Sequence, residues 1–104
     1  MRFEVVPTGL TIGKGNDANF DCVVKGGKKS KVVWLYGIFY ESSSGRIRIN
    51  PDKSLTIQNV QPGDAKKLQC VAEDVNKRIF SDEVELKVVG RFLVVYIITN
   101  LLCK

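Results

Sequence analysis

Ala18-Asn19-Phe20-Asp21-Cys22, Val32-Val33-Trp34 and Ser54-Leu55-Thr56-Ile57-Gln58-Asn59-Val60, followed by Asp64 and Leu68-Gln69-Cys70, decide the reading of this 104-residue chain. Apolar and polar residues alternate along these stretches, the pattern of strands with one buried face. Ala18, Phe20, Cys22 and Val24 fall on one face of the first strand, and Asn19, Asp21 and Val23 on the other. Val32 and Trp34 share a parity that turns the tryptophan inward, where its indole N–H needs an acceptor that the sequence does not identify. Leu55, Ile57 and Val60 form the next inward series. Leu68, Cys70 and Ala72 follow, leaving Lys67, Gln69, Val71 and Glu73 to face outward or toward a partner.

The same alternation extends in both directions, broken by Gly, Pro and Ser turns every eight to twelve residues. Phe3 to Val6 is an edge segment ended by Pro7, which has no N–H for a central ladder, and Leu10-Thr11-Ile12 resumes it. Gly37 to Tyr40 reads as a short additional strand. Ile47 and Ile49 alternate with Arg46 and Arg48, giving a half-buried strand with a basic outer face. Gln61-Pro62-Gly63-Asp64 is a corner, and Val84, Leu86 and Val88 supply the last strand. The fold class is therefore all-β, in one domain over residues 1–89 whose length suits a single sandwich. Residues 90–104 are set apart by Gly90. There Phe92 to Cys103 is almost wholly apolar and shows no alternation. A run of twelve is too short to cross a bilayer, which takes about twenty residues. It reads as a truncated membrane segment, an artefact of the gene model, or an added element folding back on the domain, with Cys103 as an odd thiol.

Composition narrows the chemistry. The net charge is +5 and there is no histidine, so the commonest general base is absent. No catalytic residue, cofactor or metal is expected, since the cysteines are too far apart and lack the histidines of a metal site. A modest basic excess favours acidic partners such as sulfated glycans, anionic lipid or nucleic acid, and selects none of them. The segment from Met1 to Pro7 has no apolar run long enough for a secretory leader. The expectation is that an extracellular domain of this kind would be a fragment whose leader is missing. No N-x-[ST] acceptor occurs.

The order Cys22, Trp34 twelve residues later and Cys70 forty-eight after the first resembles the immunoglobulin superfamily. Within it, the short cysteine separation resembles the intermediate, I-set (C2-like) type, over roughly residues 3 to 89. Segments Pro51 to Ile57 and Cys70 to Asp74 look similar to domains of neural adhesion and guidance receptors. The resemblance implies a two-sheet antiparallel Greek-key sandwich, a Cys22–Cys70 disulfide and an oxidising compartment. Trp34, Leu55, Ile57, Asp64 and Leu68 would form the core signature. Asp64 would pair with a basic residue, either Arg46 or Arg48. Two positions depart from the family. Leu68 stands where a tyrosine usually hydrogen-bonds the corner, and Lys66 where a small residue is usual, so a looser corner is expected.

The resemblance implies a non-catalytic module for protein recognition or cell adhesion within a larger cell-surface or secreted protein. An intracellular module of a muscle or cytoskeletal filament protein is the alternative. A third reading is sulfated-glycan binding through Lys25, Lys28, Lys29 and Lys31. These lysines are not interleaved with aromatics, so nucleic acid is not expected. The apolar run containing Tyr36, Phe39 and Tyr40 is a candidate protein interface, since aromatic anchors are favoured there. A homophilic or heterophilic protein partner is expected, with any membrane contact only through the tail or a parent chain.

Overall fold

A computed structural model describes residues 1–27, 30–41 and 43–90, with residues 39–41 described as backbone. In chain order the strands are β1 (Arg2–Val5), β2 (Leu10–Gly13), β3 (Ala18–Phe20), β4 (Val23–Lys25), β5 (Lys31–Tyr36) and β6 (Phe39–Glu41). They continue with β7 (Ile47–Ile49), β8 (Leu55–Ile57), β9 (Lys67–Glu73), β10 (Arg78–Phe80) and β11 (Val84–Val89). A single 3-10 turn, Pro62–Asp64, precedes β9, and no α-helix occurs among the described residues.

One layer has the order β2-β11-β9-β5-β6, with β10 also paired to β9. Its ladders are antiparallel except β2 on β11, which is parallel. The facing layer consists of β3-β8-β7, continued by the β1–β4 pair. Strands β3 and β4 are one run of chain interrupted only at Asp21–Cys22. The segment from Val6 to Gly9 carries the chain from the second layer, where β1 lies, to the first, where β2 lies. The chain passes close to β11 at Gly9, where a Cβ would stand 3.2 Å from the Glu85 carbonyl oxygen, a tight contact.

The core lies between the layers. Ala18, Phe20, Cys22, Trp34, Leu55, Ile57, Val60, Leu68, Cys70 and Leu86 form one buried cluster. The alternation puts them there, because every second residue of each strand faces the opposite sheet. Cys22 and Cys70 are joined by a disulfide across the layers. The Trp34 indole N–H finds its acceptor in the Lys53 carbonyl at 2.8 Å. Lys53 is held in the left-handed region at φ 74°. Its N–H donates to the Asn50 carbonyl at 2.8 Å, closing the turn that aims its own carbonyl at the indole.

The last strand is divided. β10 pairs Phe80 with Val71, whereas β11 pairs Val84 with Leu68, so the register moves by one residue between them. At this bulge the Cys70 N–H donates to the Ser81 hydroxyl at 2.9 Å, because the Ser81 carbonyl accepts from the Gln69 side-chain amide at 2.8 Å. The Ser81 hydroxyl donates in turn to the Asp82 carbonyl. Ser81 is 95% removed from solvent, and these bonds satisfy it. The sequence did not indicate β10. The apolar tail expected over residues 90–104 lies outside the described residues from position 91 on.

Candidate protein-contact face

The corner before β9 is closed by an unexpected residue. Leu68 is buried and apolar, as its position requires, and offers no hydroxyl. Tyr36, from the end of β5, reaches across instead and donates its hydroxyl to the Asp64 carbonyl. The Lys66 ammonium lies 4.9 Å from the centre of the Tyr36 ring, a cation–π arrangement. The hydrogen bond that Leu68 cannot give the corner is thus supplied from another strand. Tyr36 does the work from a neighbouring strand, and the lysine packs on it.

Of the two arginines that could pair with Asp64, the structure selects Arg46. Its guanidinium donates to both carboxylate oxygens, at 2.6 and 3.0 Å, and to the carbonyls of Gln58 and Asn59. Arg48 instead reaches the Gln58 side chain at 3.3 Å. The Gln61 N–H adds a third bond to the Asp64 carboxylate at 2.7 Å. These contacts make Asp64 a fastener between the β7 edge and the corner, with three bonds on its two carboxylate oxygens. Hydrogen bonding from Arg46 holds the Asp64 carboxyl below the usual carboxylate range, with help from the Gln61 N–H and against the cost of burial.

A depressed folded-state pKa stabilises the fold above the unfolded value of about 3.9, and that contribution is lost as pH falls through the folded value. Asp64→Asn should therefore lower the melting temperature by a constant amount above about pH 5. The gap should close on acidification below about pH 4. Melting curves of both proteins between pH 2 and pH 7 test this, and a gap independent of pH would contradict it.

The expected contact residues fall in different places. Tyr36 is only 3% exposed, so it belongs to the core and offers no surface. Phe39 and Tyr40 lie in β6, paired with Tyr36 and Leu35, and their side chains lie outside the described residues. Of the basic set, Lys28 and Lys29 also lie outside them. Lys25 is ion-paired with Glu4 at 3.4 Å and Lys31 with Glu73 at 3.5 Å. Both lysines are largely exposed, although Glu73 is half-buried, and pairs with an exposed partner of this kind contribute little to stability. They do mean that each described lysine of the set has a carboxylate beside it. Among the described residues no group of three or more His, Cys, Asp or Glu could hold a metal. No helix among them is long and apolar enough to cross a membrane.

The two outer faces of the sandwich differ. On the β3-β8-β7 layer, Asn19, Thr56 and Arg48 form one cross-strand row, with the Thr56 hydroxyl donating to Asn19 at 2.6 Å. That row is polar. On the other layer, Val33, Val71 and Phe80 form a row by register. Leu35 stands beside Gln69 in the next row. Val71, read from the sequence as outward-facing, does face outward yet is 0% exposed, covered on that apolar face, while Phe80 beside it is 49% exposed. The signal for this face was present: Val32 to Tyr36 and Cys70 to Ala72 are apolar at both parities, as strands covered on both sides are.

Comparison with known proteins agrees with this architecture. The immunoglobulin I-set domain family matches residues 1–88. The mouse (Mus musculus) Peroxidasin homolog is 30% identical over 91 residues, covering 86% of this chain and 6% of that protein. The tyrosine-protein kinase receptor TYRO3 of Xenopus laevis is 28% identical over 86 residues, covering 78% of this chain and 10% of the receptor. The chain thus spans about a tenth or less of the length of these relatives. Among solved structures, a chain of the titin–obscurin-like 1 Ig complex superposes with a TM-score of 0.78 at 24% identity, covering 86% of this chain and 93% of that one. With the disulfide between facing sheets, the tryptophan beside it and the family match over nearly all the described strands, the chain belongs to the immunoglobulin I-set domain family.

Proposed function

We propose that residues 1–89 are a non-catalytic recognition module of a larger cell-surface or secreted protein, acting by protein contact. The observation that carries this reading is the outer face of β5, β9 and β10. It is apolar at its centre, in contrast to the polar outer face of the opposite layer. An apolar strip that ends in a half-exposed aromatic such as Phe80 is the kind of surface on which partners dock. The Cys22–Cys70 disulfide supports an oxidising compartment, since cytosolic thiols stay reduced. A receptor among the relatives agrees with that placement. Under this reading the domain sits in series with others of a longer chain, and residues 90–104 lie outside the module.

The test is the thiol state of natively isolated protein, blocked with an alkylating reagent on lysis and weighed with and without reduction. An oxidised pair, seen as two more blocked thiols after reduction, is the expected result. Free thiols at both Cys22 and Cys70 would instead place the domain in a reducing compartment and overturn the cell-surface or secreted reading.

A further inference from the structure

The two edges of the second layer are built differently. At β7 the chain closes the edge itself. The Ile47 N–H donates to the Ser44 carbonyl and the Ser44 N–H to the Ile47 carbonyl, both at 2.9 Å, and the Ile49 N–H donates to the Ser43 hydroxyl at 2.9 Å. At the opposite edge, β1 pairs with β4 on one side only. The backbone N–H and C=O groups on its other side have no partner among the described residues. An open edge of this kind is a template for a further strand. Its side chains alternate: Phe3 packs on the core, while Arg2 and Glu4 are exposed. Glu4 lies 3.4 Å from Lys25, which stands opposite Arg2 in the ladder. Arg2 itself has no carboxylate partner among the described residues. Just beyond, Val5 and Val23 stand opposite one another and are exposed, as is Val6.

We infer that β1 pairs antiparallel with β1 of a second copy of the chain, Phe3 opposite Phe3, joining the two second layers into one continuous sheet. Antiparallel pairing of a strand with its own copy has a two-fold axis. An axis passing between two residues would set an outward side chain against an inward one, so it must pass at a residue. Centred on Arg2, the axis opposes the two arginines, and centred on Glu4 it opposes the two glutamates. Centred on Phe3, it sets Arg2 of each copy opposite Glu4 of the other. Like charges meeting in an interface are strongly disfavoured, and opposite charges across a strand pair are favoured. The charges therefore select the register on Phe3. Glu4 then lies between Lys25 of its own copy and Arg2 of the other, and the two Phe3 rings meet as a cross-strand aromatic pair. Arg2-Phe3-Glu4 is thus its own complement when reversed, which is why a second copy fits this edge. The edge belongs to the opposite layer from β5, β9 and β10, so self-pairing here stands apart from recognition through that face.

Sedimentation of the full chain, with its disulfide formed and nothing added before Met1, should show a reversible dimer between about 10 µM and about 2 mM. The association is weak because so short a contact falls below the usual interface size. Arg2→Glu and Glu4→Arg should each weaken it about tenfold or more, since each sets like charges opposite one another in both pairs. An equimolar mixture of the two variants should regain it, because their heterodimer opposes unlike charges in both pairs. The double exchange in one chain should also dimerise, for the same reason. Amide hydrogen exchange over Met1 to Val6 should slow as the wild-type concentration is raised, and should not slow in either single variant. Melting curves of each variant show that the monomer is folded. A wild-type chain that stays monomeric at the highest concentration, single variants that dimerise as well as wild type, or a mixture that does not recover would each overturn the pairing. So would a dimer whose slowed exchange lies outside Met1 to Val6. The thiol state of Cys22 and Cys70 decides the cell-surface or secreted reading separately, whatever sedimentation shows.

Discussion

Replacing Cys22 and Cys70 together by alanine is expected to lower the free energy of unfolding by about 4 kcal/mol. The loop they close contains about fifty residues, and cross-linking a loop of that length removes a corresponding entropy from the unfolded chain. In a domain of this size such a loss shifts the melting temperature by roughly 15–30 °C. Both cysteines are buried, so the substitution also loses packing. Reduction of the wild-type protein should fall in the same direction with a smaller change, since the thiols still fill the core. Reversible melting of oxidised, reduced and doubly substituted protein is the measurement. A double variant melting within 5 °C of wild type would show that the fold is held almost entirely by its other contacts.

The second large effect is expected at Tyr36. Truncation to alanine removes a buried aromatic ring, and such changes cost about 3–5 kcal/mol. Tyr36→Phe isolates the hydroxyl. It keeps the ring and leaves the Asp64 carbonyl without its donor, at a cost of about 1–2 kcal/mol. Since Tyr36 and Asp64 meet where Arg46 also binds, the effects of Tyr36→Phe and Arg46→Ala should be non-additive. Urea unfolding of the two single variants and the double variant measures that coupling. Strict additivity would mean that the hydroxyl and the guanidinium hold the corner independently.

Most of the fold was legible because its signal is local. A strand with one face buried writes that fact into alternate positions, and Phe20, Cys22, Trp34, Leu55, Ile57, Cys70 and Leu86 follow it. What the sequence could not show are contacts between a side chain and a distant backbone group. The Lys53 carbonyl under the Trp34 indole and the Asp64 carbonyl under the Tyr36 hydroxyl depend on turn geometry, and any residue type supplies a carbonyl. Tyr36 was read as surface because it stands in an aromatic run, although its parity with Trp34 pointed inward. The contact face was harder still. Val33, Leu35, Val71 and Phe80 lie on three strands, and only the register brings them into adjacent rows. β10 escaped because it is three residues long and separated from β11 by a bulge.

That bulge has a consequence for how the sequence can vary. Arg78 and Phe80 point to the outside, whereas Val84, Leu86 and Val88, also at even positions, point to the core. The extra residue at 81–83 exchanges inside for outside part-way along what is otherwise one strand. Most connections of this length tolerate an inserted or deleted residue. A single deletion here would bring both pairings into one register, with Phe80 still outside and Leu86 still inside. The inward and outward faces therefore do not depend on the extra residue, and what the bulge provides is the place where the Ser81 hydroxyl takes the Cys70 N–H.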